Sequence, residues 1–315
     1  MELIRPGQSR AVEPPLVGRL VYGQPMGGPW DVRNAAWARA LAGAGNERGN
    51  VLEVGPLPFA LRAVCPLLAG IAGAARSVRV RRGGSDGFAH IGRPADIRAV
   101  RLDAGDELWL GAASEGMNTY VASTDLTGIA HRRKIASSSI DPAGALRTAA
   151  GWAPVALHRG ERTRLASRSV TLRVVEGPEW PRGVTDDDLR FSVRPELDRQ
   201  GVRLAVASLS ASSAAAKMPA AVPSSPTVPG LIQWPRQGDP VILGPDCQTV
   251  GGYPRLAVVV SADVRLVGSL RPGDTVALAR VSLLQAADLW SCEQHGTRRL
   301  SRLFRAIAQS WYDAG

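Results

Sequence analysis

Residues 230–264 read GLIQWPRQGDPVILGPDCQTVGGYPRLAVVVSADV. In this stretch the boundaries between apolar and polar segments are the sharpest in the chain. Two apolar runs, Pro240–Leu243 and Leu256–Val260, flank residues 246–254, which we call the polar loop. Two antiparallel strands can be joined by a turn of only two residues. The longer polar loop is therefore either an irregular structural connection or a place where the backbone approaches a ligand.

The composition of the polar loop suits a polar ligand. Gly251 and Gly252 can adopt positive φ and expose backbone N–H groups with no Cβ in the way, and amides exposed in this manner hold carboxylates or phosphates. Further donors and acceptors come from the side chains of Asp246, Gln248, Thr249 and Tyr253. A hairpin with a bulge would explain the same residues, so the local sequence leaves a binding site and a structural loop equally open.

The overall composition indicates a soluble protein with room for two domains. The chain has 315 residues, of which 45% are hydrophobic and 21% charged, and this length can supply two hydrophobic cores. The 34 glycines and 23 prolines favour short strands and turns. We expect a cytoplasmic protein with no membrane association, because the N-terminus lacks the apolar core of a signal peptide and no apolar run approaches about 18 residues.

The charge and the cysteine content exclude several classes of function. The net charge is +10 and is carried almost wholly by arginine, but the arginines are scattered, and the two dense runs at residues 76–82 and 298–305 are not accompanied by a basic platform with interleaved aromatic residues. We therefore predict no nucleic-acid partner. Three cysteines and four histidines lack the spacing of a metal site, and no phosphate-binding or nucleophile motif is present.

Two weak internal repeats indicate two related β domains. LDAGDELWLG (residues 102–111) and LRPGDTVALA (residues 270–279) each place Gly-Asp at a turn before an alternating strand. The second repeat relates EVGPLPF (residues 53–59) to VEGPEWP (residues 175–181). Half-buried strands are predicted where apolar and polar residues alternate, as they do at residues 77–81 and 169–174.

Few helices are predicted. Asp31 can cap a helix over residues 32–42, and Ser282 with Gln285 forms a capping box before a helix over residues 283–290. Residues 297–312 form an amphipathic pattern that predicts a helix packed on the protein or on a partner. Its apolar stripe consists of Leu300, Leu303, Phe304, Ile307 and Trp311.

The region around the polar loop resembles the signature of the biotin-dependent carboxyltransferase family, to which the C-type subunit of 5-oxoprolinase and a domain of urea carboxylase belong. In that family the run reads roughly Val-Pro-Gly-x-Ile-Gln-x-Pro, followed by Asp-x-Gln-Thr-x-Gly-Gly-Tyr-Pro. The matching positions in this chain are Val228, Pro229, Gly230, Ile232, Gln233, Pro235, Asp246, Gln248, Thr249, Gly251, Gly252, Tyr253 and Pro254. Two other family elements are similar to DRQGVRL (residues 198–204) and GGPWD (residues 27–31).

The chain also departs from the family pattern at polar positions. Two serines ahead of the Asp-Arg element are replaced by Arg194 and Leu197, and the arginine that follows the loop aspartate is replaced by Cys247. These losses fall among residues that would contact substrate. They leave open a non-catalytic regulatory or assembly role as an alternative to an active one.

The resemblance implies a mainly β protein with two cyclophilin-like antiparallel barrel domains. The N-terminal domain would span residues 1–160, and the second domain, residues 168–292, would carry the signature. A few short helices and the C-terminal helix at residues 297–312 would complete the fold. The Ala-, Ser- and Pro-rich residues 205–229 are expected to form a loop.

The resemblance further implies one component of an ATP-dependent complex that opens 5-oxoproline to glutamate, acting with partners that resemble the A-type and B-type components of 5-oxoprolinase. ATP would be used by the complex as a whole. The alternative is a carboxyltransferase that acts on urea or a related amide with biotin carried by another protein. In either case no classical nucleophile is needed, because the protein would orient the substrate and stabilise developing charge.

Under this resemblance each site residue receives an expected role. Arg199 and Arg203 would pair with a substrate carboxylate or phosphate, while Asp246 and Tyr253 would orient groups or transfer protons. The candidate catalytic residues are Asp246, Tyr253 and Arg199. The candidate substrate-binding or nucleotide-binding residues are Arg203, Gln233, Gln248, Thr249, Gly251 and Gly252.

Overall fold

The computed structural model describes residues 1–44, 51–91, 95–125, 168–186, 189–207, 218–219, 221–235 and 238–314. Within these ranges the chain is mainly β, which confirms the predicted fold class. The chain divides into two compact units. Unit 1 consists of Met1–Pro14, Val32–Arg162 and Gly296–Gly315, and unit 2 consists of Pro15–Asp31 and Thr163–His295.

Unit 1 is built from two five-stranded antiparallel sheets. The first contains, in spatial order, β1 (Glu2–Arg5), β4 (Phe59–Arg62), β9 (Glu107–Leu110), β6 (Val78–Arg81) and β7 (Phe88–His90). The second contains β2 (Ser9–Val12), β3 (Val51–Val54), β10 (Glu115–Asp125), β5 (Leu67–Arg76) and β8 (Ala95–Leu102). In β6 the buried Val78 and Val80 alternate with partly exposed arginines, as predicted for residues 77–81.

Unit 2 is a closed barrel of seven strands. In order around the barrel these are β11 (Ser169–Glu176), β18 (Arg255–Val259), β15 (Leu231–Gln233), β16 (Val241–Leu243), β13 (Gly201–Val206), β12 (Arg190–Leu197) and β19 (Thr275–Arg280). The pairing is antiparallel except between β11 and β19. Because the sheet closes on itself, no strand edge is left unpaired.

Shorter elements complete the described part of the chain. A two-stranded pair joins β14 (Ser225–Pro226) to β17 (Val250–Gly251), so part of the predicted loop at residues 205–229 forms a strand. Residues 208–217 and 220 of that loop lie outside the described residues. The helices are α1 (Val32–Leu41), α2 (Val264–Val267) and α3 (Leu283–Ala314), with a 3-10 turn at Leu20–Tyr22.

The first internal repeat has the same local geometry in both units. In unit 1 the carboxylate of Asp106 accepts a hydrogen bond of 2.9 Å from the backbone N–H of Asp103. In unit 2 the carboxylate of Asp274 accepts one of 3.0 Å from the backbone N–H of Arg271. Both aspartates are buried, and each directly precedes a strand, β9 or β19. The Gly-Asp motif is therefore the same turn used twice.

Helix α3 joins the two helical segments that the sequence analysis separates. Its start is the predicted capping box, in which Gln285 Oε1 accepts the Ser282 N–H at 2.8 Å and Ser282 Oγ accepts the Gln285 N–H at 3.2 Å. The helix then continues without interruption to Ala314. No helix in the described residues is both long and apolar enough to cross a membrane.

The apolar stripe of α3 packs only in part as predicted. Phe304 is 1% exposed and contacts Trp37 of α1 edge to face, with ring centroids 6.0 Å apart. Leu300 and Ile307 pack against the same core. Leu303 of the same stripe is 37% exposed in this chain, so its packing on the protein or on a partner stays a prediction. The Trp311 side chain lies outside the described residues.

Phe304→Ala should lower the free energy of unfolding by about 3–5 kcal/mol, because it removes a buried ring and leaves a cavity. Leu303→Ala is the matched control and should cost less than about 1 kcal/mol, since that side chain is partly in solvent. Chemical denaturation followed by circular dichroism measures both variants. Equal losses would contradict the placement of the helix.

Candidate functional site

The polar loop lies on the outside of the barrel. Along β15 and β16 the side chains alternate, and Ile232 and Ile242 belong to the barrel core. The outward-facing Leu231 and Leu243 pack instead with Cys247 of the polar loop in a separate small cluster. The barrel strands therefore form a rigid support, and the loop covers their outer face.

Two other segments meet the polar loop through backbone hydrogen bonds. At the tip of the hairpin between β12 and β13, the carbonyl of Arg199 accepts the Asp246 N–H at 3.0 Å, and the carbonyl of Gln200 accepts the Gly244 N–H at 2.8 Å. On another side the N–H of Gly27 donates to the carbonyl of Pro245 at 2.9 Å. Parts of the GGPWD and DRQGVRL elements thus meet the signature in one place.

The close approach of these segments explains Gly244, which the sequence analysis did not single out. A Cβ at residue 244 would lie 2.3 Å from the carbonyl oxygen of Arg199 and 2.8 Å from Cη2 of Trp30. Any side chain here would separate the hairpin tip from the loop. The sequence could have indicated Gly244 only by its position, because it is a glycine directly after the strand Val241–Leu243.

Arg199 and Asp246, two of the three candidate catalytic residues, form an ion pair. Arg199 Nε donates to Asp246 Oδ2 at 2.8 Å, and Nη2 donates to Oδ1 at 3.0 Å. Nη2 also donates to the carbonyl oxygen of Gly28. Both side chains are largely shielded, with exposed fractions of 14% and 29%. The two-point contact fixes the plane of the carboxylate as well as its position.

Gln233 and Gln248 are also brought together. Gln233 is 3% exposed, and its Oε1 accepts a hydrogen bond of 3.2 Å from Nε2 of the exposed Gln248. Thr227 holds the backbone beneath them, since its hydroxyl donates to the carbonyl of Gln248 and its N–H donates to the carbonyl of Thr249 at 2.9 Å. The loop is therefore fixed from below by buried polar groups.

Gly251 and Gly252 do not have the backbone conformation expected of them. Neither has φ in the left-handed region, so the prediction of positive φ was wrong. Gly251 is extended and pairs with Ser225 between β17 and β14. Glycine is required at 251 for a different reason, because a Cβ there would lie 2.6 Å from Gln233 Nε2. At Gly252 the nearest atom to a Cβ would be the Val222 carbonyl oxygen at 3.3 Å.

Tyr253 and Arg203 are both on the surface. Tyr253 is 55% exposed, and Arg203 lies on β13 in register with Val241, which is in turn in register with Gln233. Arg203 therefore shares the outer face with Gln233, two strands away. Neither Tyr253 nor Arg203 makes a side-chain hydrogen bond within the described part of the chain. Their expected roles remain predictions.

A second ion pair fixes the exit from the polar loop, and the sequence analysis missed it. Arg255 Nη2 donates to Glu179 Oε1 at 2.8 Å, and Arg255 Nε donates to Oε2 at 3.1 Å. The hydrogen bonds from Arg255 hold the pKa of Glu179 below its usual value. Arg255 Nη1 also donates to Ser225 Oγ at 3.1 Å. In the sequence Glu179 directly follows a Gly-Pro turn and Arg255 directly follows a Tyr-Pro turn. No local pattern indicates that these two residues pair.

Cys247 is part of the apolar support. Burial raises the pKa of its thiol to about 11, so the reactive thiolate is scarce at neutral pH. The departure from arginine at this position thus replaces a charged group by a buried, protonated thiol. Among the described residues no cluster of three or more His, Cys, Asp or Glu side chains is arranged to hold a metal ion.

A family model matches the part of the chain that carries this site. The family model described as carboxyltransferase domain, subdomain A and B, matches residues 22–280. That span includes most of the chain and every site residue named above. The chain belongs to this carboxyltransferase domain family. The resemblance drawn from the signature is thereby confirmed.

Similar proteins agree with the family assignment. The chain is 31% identical over 144 residues to the C-type subunit of 5-oxoprolinase from Haemophilus influenzae, covering 46% of this chain and 43% of that protein. It is 37% identical over 59 residues to the corresponding 5-oxoprolinase protein of Escherichia coli, 19% of each chain. The matched region thus spans less than half the length of these curated relatives.

A solved structure shows the same fold at lower identity. The urea carboxylase of Kluyveromyces lactis matches 95% of this chain with a TM-score of 0.69 and 19% identity. Only 29% of that larger protein is covered. At this identity the likeness concerns the fold alone, and it supports the mainly β architecture.

Gly244→Ala should destabilise the site, because the new Cβ would collide with a backbone carbonyl that cannot rotate away. We expect a loss of about 1–3 kcal/mol in the free energy of unfolding. Gly252→Ala is the control and should cost less than about 1 kcal/mol, since the nearest backbone atom is a full ångström further away. Denaturant titration compares the two variants. A tolerated Gly244→Ala would show that the hairpin tip does not pack on the loop.

Proposed function

We propose that this chain is one component of an ATP-dependent 5-oxoprolinase-like amidohydrolase complex, which opens the lactam ring of 5-oxoproline to give glutamate. The observation that carries the proposal is the 31% identity to a protein named as the C-type subunit of 5-oxoprolinase. The family match over residues 22–280 supports it, because the signature at the polar loop lies within that span.

The chemistry of the reaction suits a site without a nucleophile. An unstrained lactam is a poor electrophile, and ATP supplies activation of its oxygen by phosphorylation. The remaining requirement is to orient the ring and to stabilise developing charge. Asp246, whose orientation is set by Arg199, would orient a substrate N–H or receive a proton. The exposed Tyr253 hydroxyl would act as a second donor.

The polar loop supports a role for this chain other than binding the triphosphate. The guanidinium of Arg199 already binds Asp246 and the Gly28 carbonyl, and neither Gly251 nor Gly252 has the positive φ expected of a glycine-lined phosphate site. In this proposal ATP is therefore bound through the A-type and B-type partners. This chain contributes residues that contact the amide.

A second candidate is a non-catalytic assembly role. Two observations favour it: the charged catalytic candidates bind each other, and Cys247 is buried at the position where the family signature carries arginine. In that case the polar loop would be a structural part of an interface with a partner protein. Biotin enters only under the carboxyltransferase alternative.

Co-expression with the A-type and B-type 5-oxoprolinase proteins of the same organism tests the proposal. Size-exclusion chromatography should show a stable complex that opens 5-oxoproline in the presence of ATP, and the purified chain alone should show no turnover. Separate elution of this chain from those partners would overturn the proposal. A complex that instead carboxylates an amide with a biotin carrier would support the alternative.

Asp246→Asn in the active complex separates a catalytic from an assembly role. We expect turnover to fall at least about a hundredfold, because a positioned proton acceptor is lost. Asp186→Asn is the control, since Asp186 forms a similar, partly exposed ion pair with Arg280 away from the loop. Unchanged turnover in both variants, with the complex intact, would favour the assembly role.

A further inference from the structure

The outer face of the first sheet of unit 1 is open to solvent. The inward side chains of that sheet, such as Val80 and Leu108, form the core between the two sheets. Helices α1 and α3 share a core cluster with the second sheet instead. On the outer face of the first sheet Phe88 is 40% exposed, and the side chains of Arg62 and Arg81 are also partly exposed. A partner can therefore reach this face.

The outward side chains of the first sheet lie in rows that run across the strands, because directly opposed residues of antiparallel strands share a face. The first row consists, in order from β1 to β7, of Glu2, Arg62, Glu107, Arg81 and Phe88. Glu107 is buried and accepts hydrogen bonds from Arg81 Nη2 at 2.6 Å and from Arg62 Nη2 at 2.9 Å. The hydrogen bonds, of which that from Arg81 has the largest effect, lower the pKa of Glu107 to about 2. In the first row guanidinium groups are therefore balanced by carboxylates.

The second row contains bases but no carboxylate. It consists, in order from β1 to β7, of Arg5, Ala60, Trp109, Arg79 and His90. Arg5 and His90 are exposed, and Arg79 is partly exposed. In the part of the chain that the structure describes, none of these three side chains has a hydrogen bond or an ion pair. The second row therefore lacks the acidic partners that the first row contains.

Arg79 is held in place by stacking. Its guanidinium lies over the ring of Phe88, 4.9 Å from the centroid. Phe88 in turn packs edge to face on Trp109, with ring centroids 5.5 Å apart. Stacking on a ring fixes the plane of a guanidinium and leaves the N–H groups at its edge free to donate to a carboxylate. Arg79 is therefore positioned in advance for an anionic group from outside the chain.

We propose that the second row docks an extended acidic segment of a partner protein. One carboxylate of that segment would accept hydrogen bonds from Arg79 and His90, and a second carboxylate would pair with Arg5. An apolar side chain between them would lie on Trp109. Arginine clusters recognise acidic motifs in several families of binding domains. The docking surface goes beyond the proposed function and does not depend on it, because the second row belongs to unit 1 and the polar loop belongs to unit 2.

The strand spacing determines which segment fits. Arg5 on β1 and Arg79 on β6 are separated by three steps from strand to strand, which corresponds to about 14 Å at about 4.8 Å per step. In an extended segment the side chains at positions i and i+4 point to the same side and lie about 13 Å apart. The side chain at i+2 lies between them, over Trp109. The second row therefore fits a segment with acidic residues at i and i+4 and an apolar residue at i+2.

A nucleic acid fits this face less well. Single strands bind by stacking their bases on aromatic faces, and the guanidinium of Arg79 already covers the Phe88 ring. Trp109 is only partly exposed, and its Nε1 donates to Glu107 Oε2 at 2.9 Å. These contacts favour a polypeptide with separate carboxylates.

Ligand-observed NMR titration of the full chain with two matched peptides tests the docking surface. Both peptides are acetylated and amidated. One reads Ser-Glu-Ser-Leu-Ser-Glu-Ser, and the other carries glutamine in place of both glutamates. At low ionic strength we expect the acidic peptide to bind at least about fivefold more tightly, because it gains two ion pairs, and added salt should reduce the difference. Equal binding of the two peptides, or no binding of the acidic one, would overturn the proposal.

Single arginine variants show whether the second row is the binding surface. Arg79→Gln and Arg5→Gln should each weaken binding of the acidic peptide at least about threefold. Arg101→Gln is the matched control and should leave binding unchanged, since Arg101 lies in the second sheet and pairs with Asp103 at 3.8 Å. Because Arg5 is exposed, Arg5→Gln keeps the test decisive if Arg79→Gln does not fold. Unchanged binding in the folded variants of the second row, or an equal loss in Arg101→Gln, would contradict the proposal.

An oligothymidylate strand distinguishes a polypeptide from a nucleic acid. We expect Arg79→Gln to leave its binding unchanged. If the strand binds more tightly than the acidic peptide and Arg79→Gln weakens it, the occupant is a nucleic acid and the proposal is overturned. These titrations need neither ATP nor the 5-oxoprolinase partners, so their outcome does not depend on the proposed reaction.

Discussion

The contact between Arg199 and Asp246 is the interaction on which the site depends. Asp246 lies 47 residues from Arg199, and Gly28, whose carbonyl receives the same guanidinium, lies 171 residues away. A planar guanidinium can hold a carboxylate at two points and still donate to a third oxygen. One side chain therefore joins three distant segments of the chain with fixed geometry.

The rest of the site depends on glycines that allow neighbouring segments to pack closely. Gly244 lets the hairpin tip reach the polar loop, and Gly251 lets the loop lie against the Gln233 amide. Beneath them the barrel strands point Ile232 and Ile242 inward and Leu231 and Leu243 outward. The polar side chains of the site are thus supported by rigid strands, which fix side-chain positions more precisely than a free loop could.

Much of the fold could be predicted because its signals are local. Alternation identified β6, the capping box identified the start of α3, and the Gly-Asp repeat identified the same turn in both units. The continuity of α3 was missed because Gly296 lowers helix propensity by about 1 kcal/mol relative to alanine. Contacts on both sides of it, such as the Arg265–Glu293 ion pair and the buried Phe304, stabilise the helix nevertheless.

The resemblance pointed to residues that lie close together in the structure, but it did not indicate the contacts between them. The signature pointed to Arg199, Asp246, Gln233 and Gly251, yet neither the ion pair nor the close approach to Gly251 has a sequence signal. The two adjacent glycines suggested a positive φ. At Gly251, however, glycine is needed because a Cβ would collide with Gln233 Nε2. Pairing across tens of residues depends on the closed barrel, which local patterns do not encode.

A double-mutant cycle between Arg199→Ala and Asp246→Ala tests the central claim most directly. The free energy of unfolding of the wild type, the two single variants and the double variant gives the coupling energy between the side chains. We predict a coupling of about 2 kcal/mol, since charged hydrogen bonds in partly buried positions contribute about 1.5–3 kcal/mol. Losses that add to within about 0.5 kcal/mol would show that the two residues do not hold the site together.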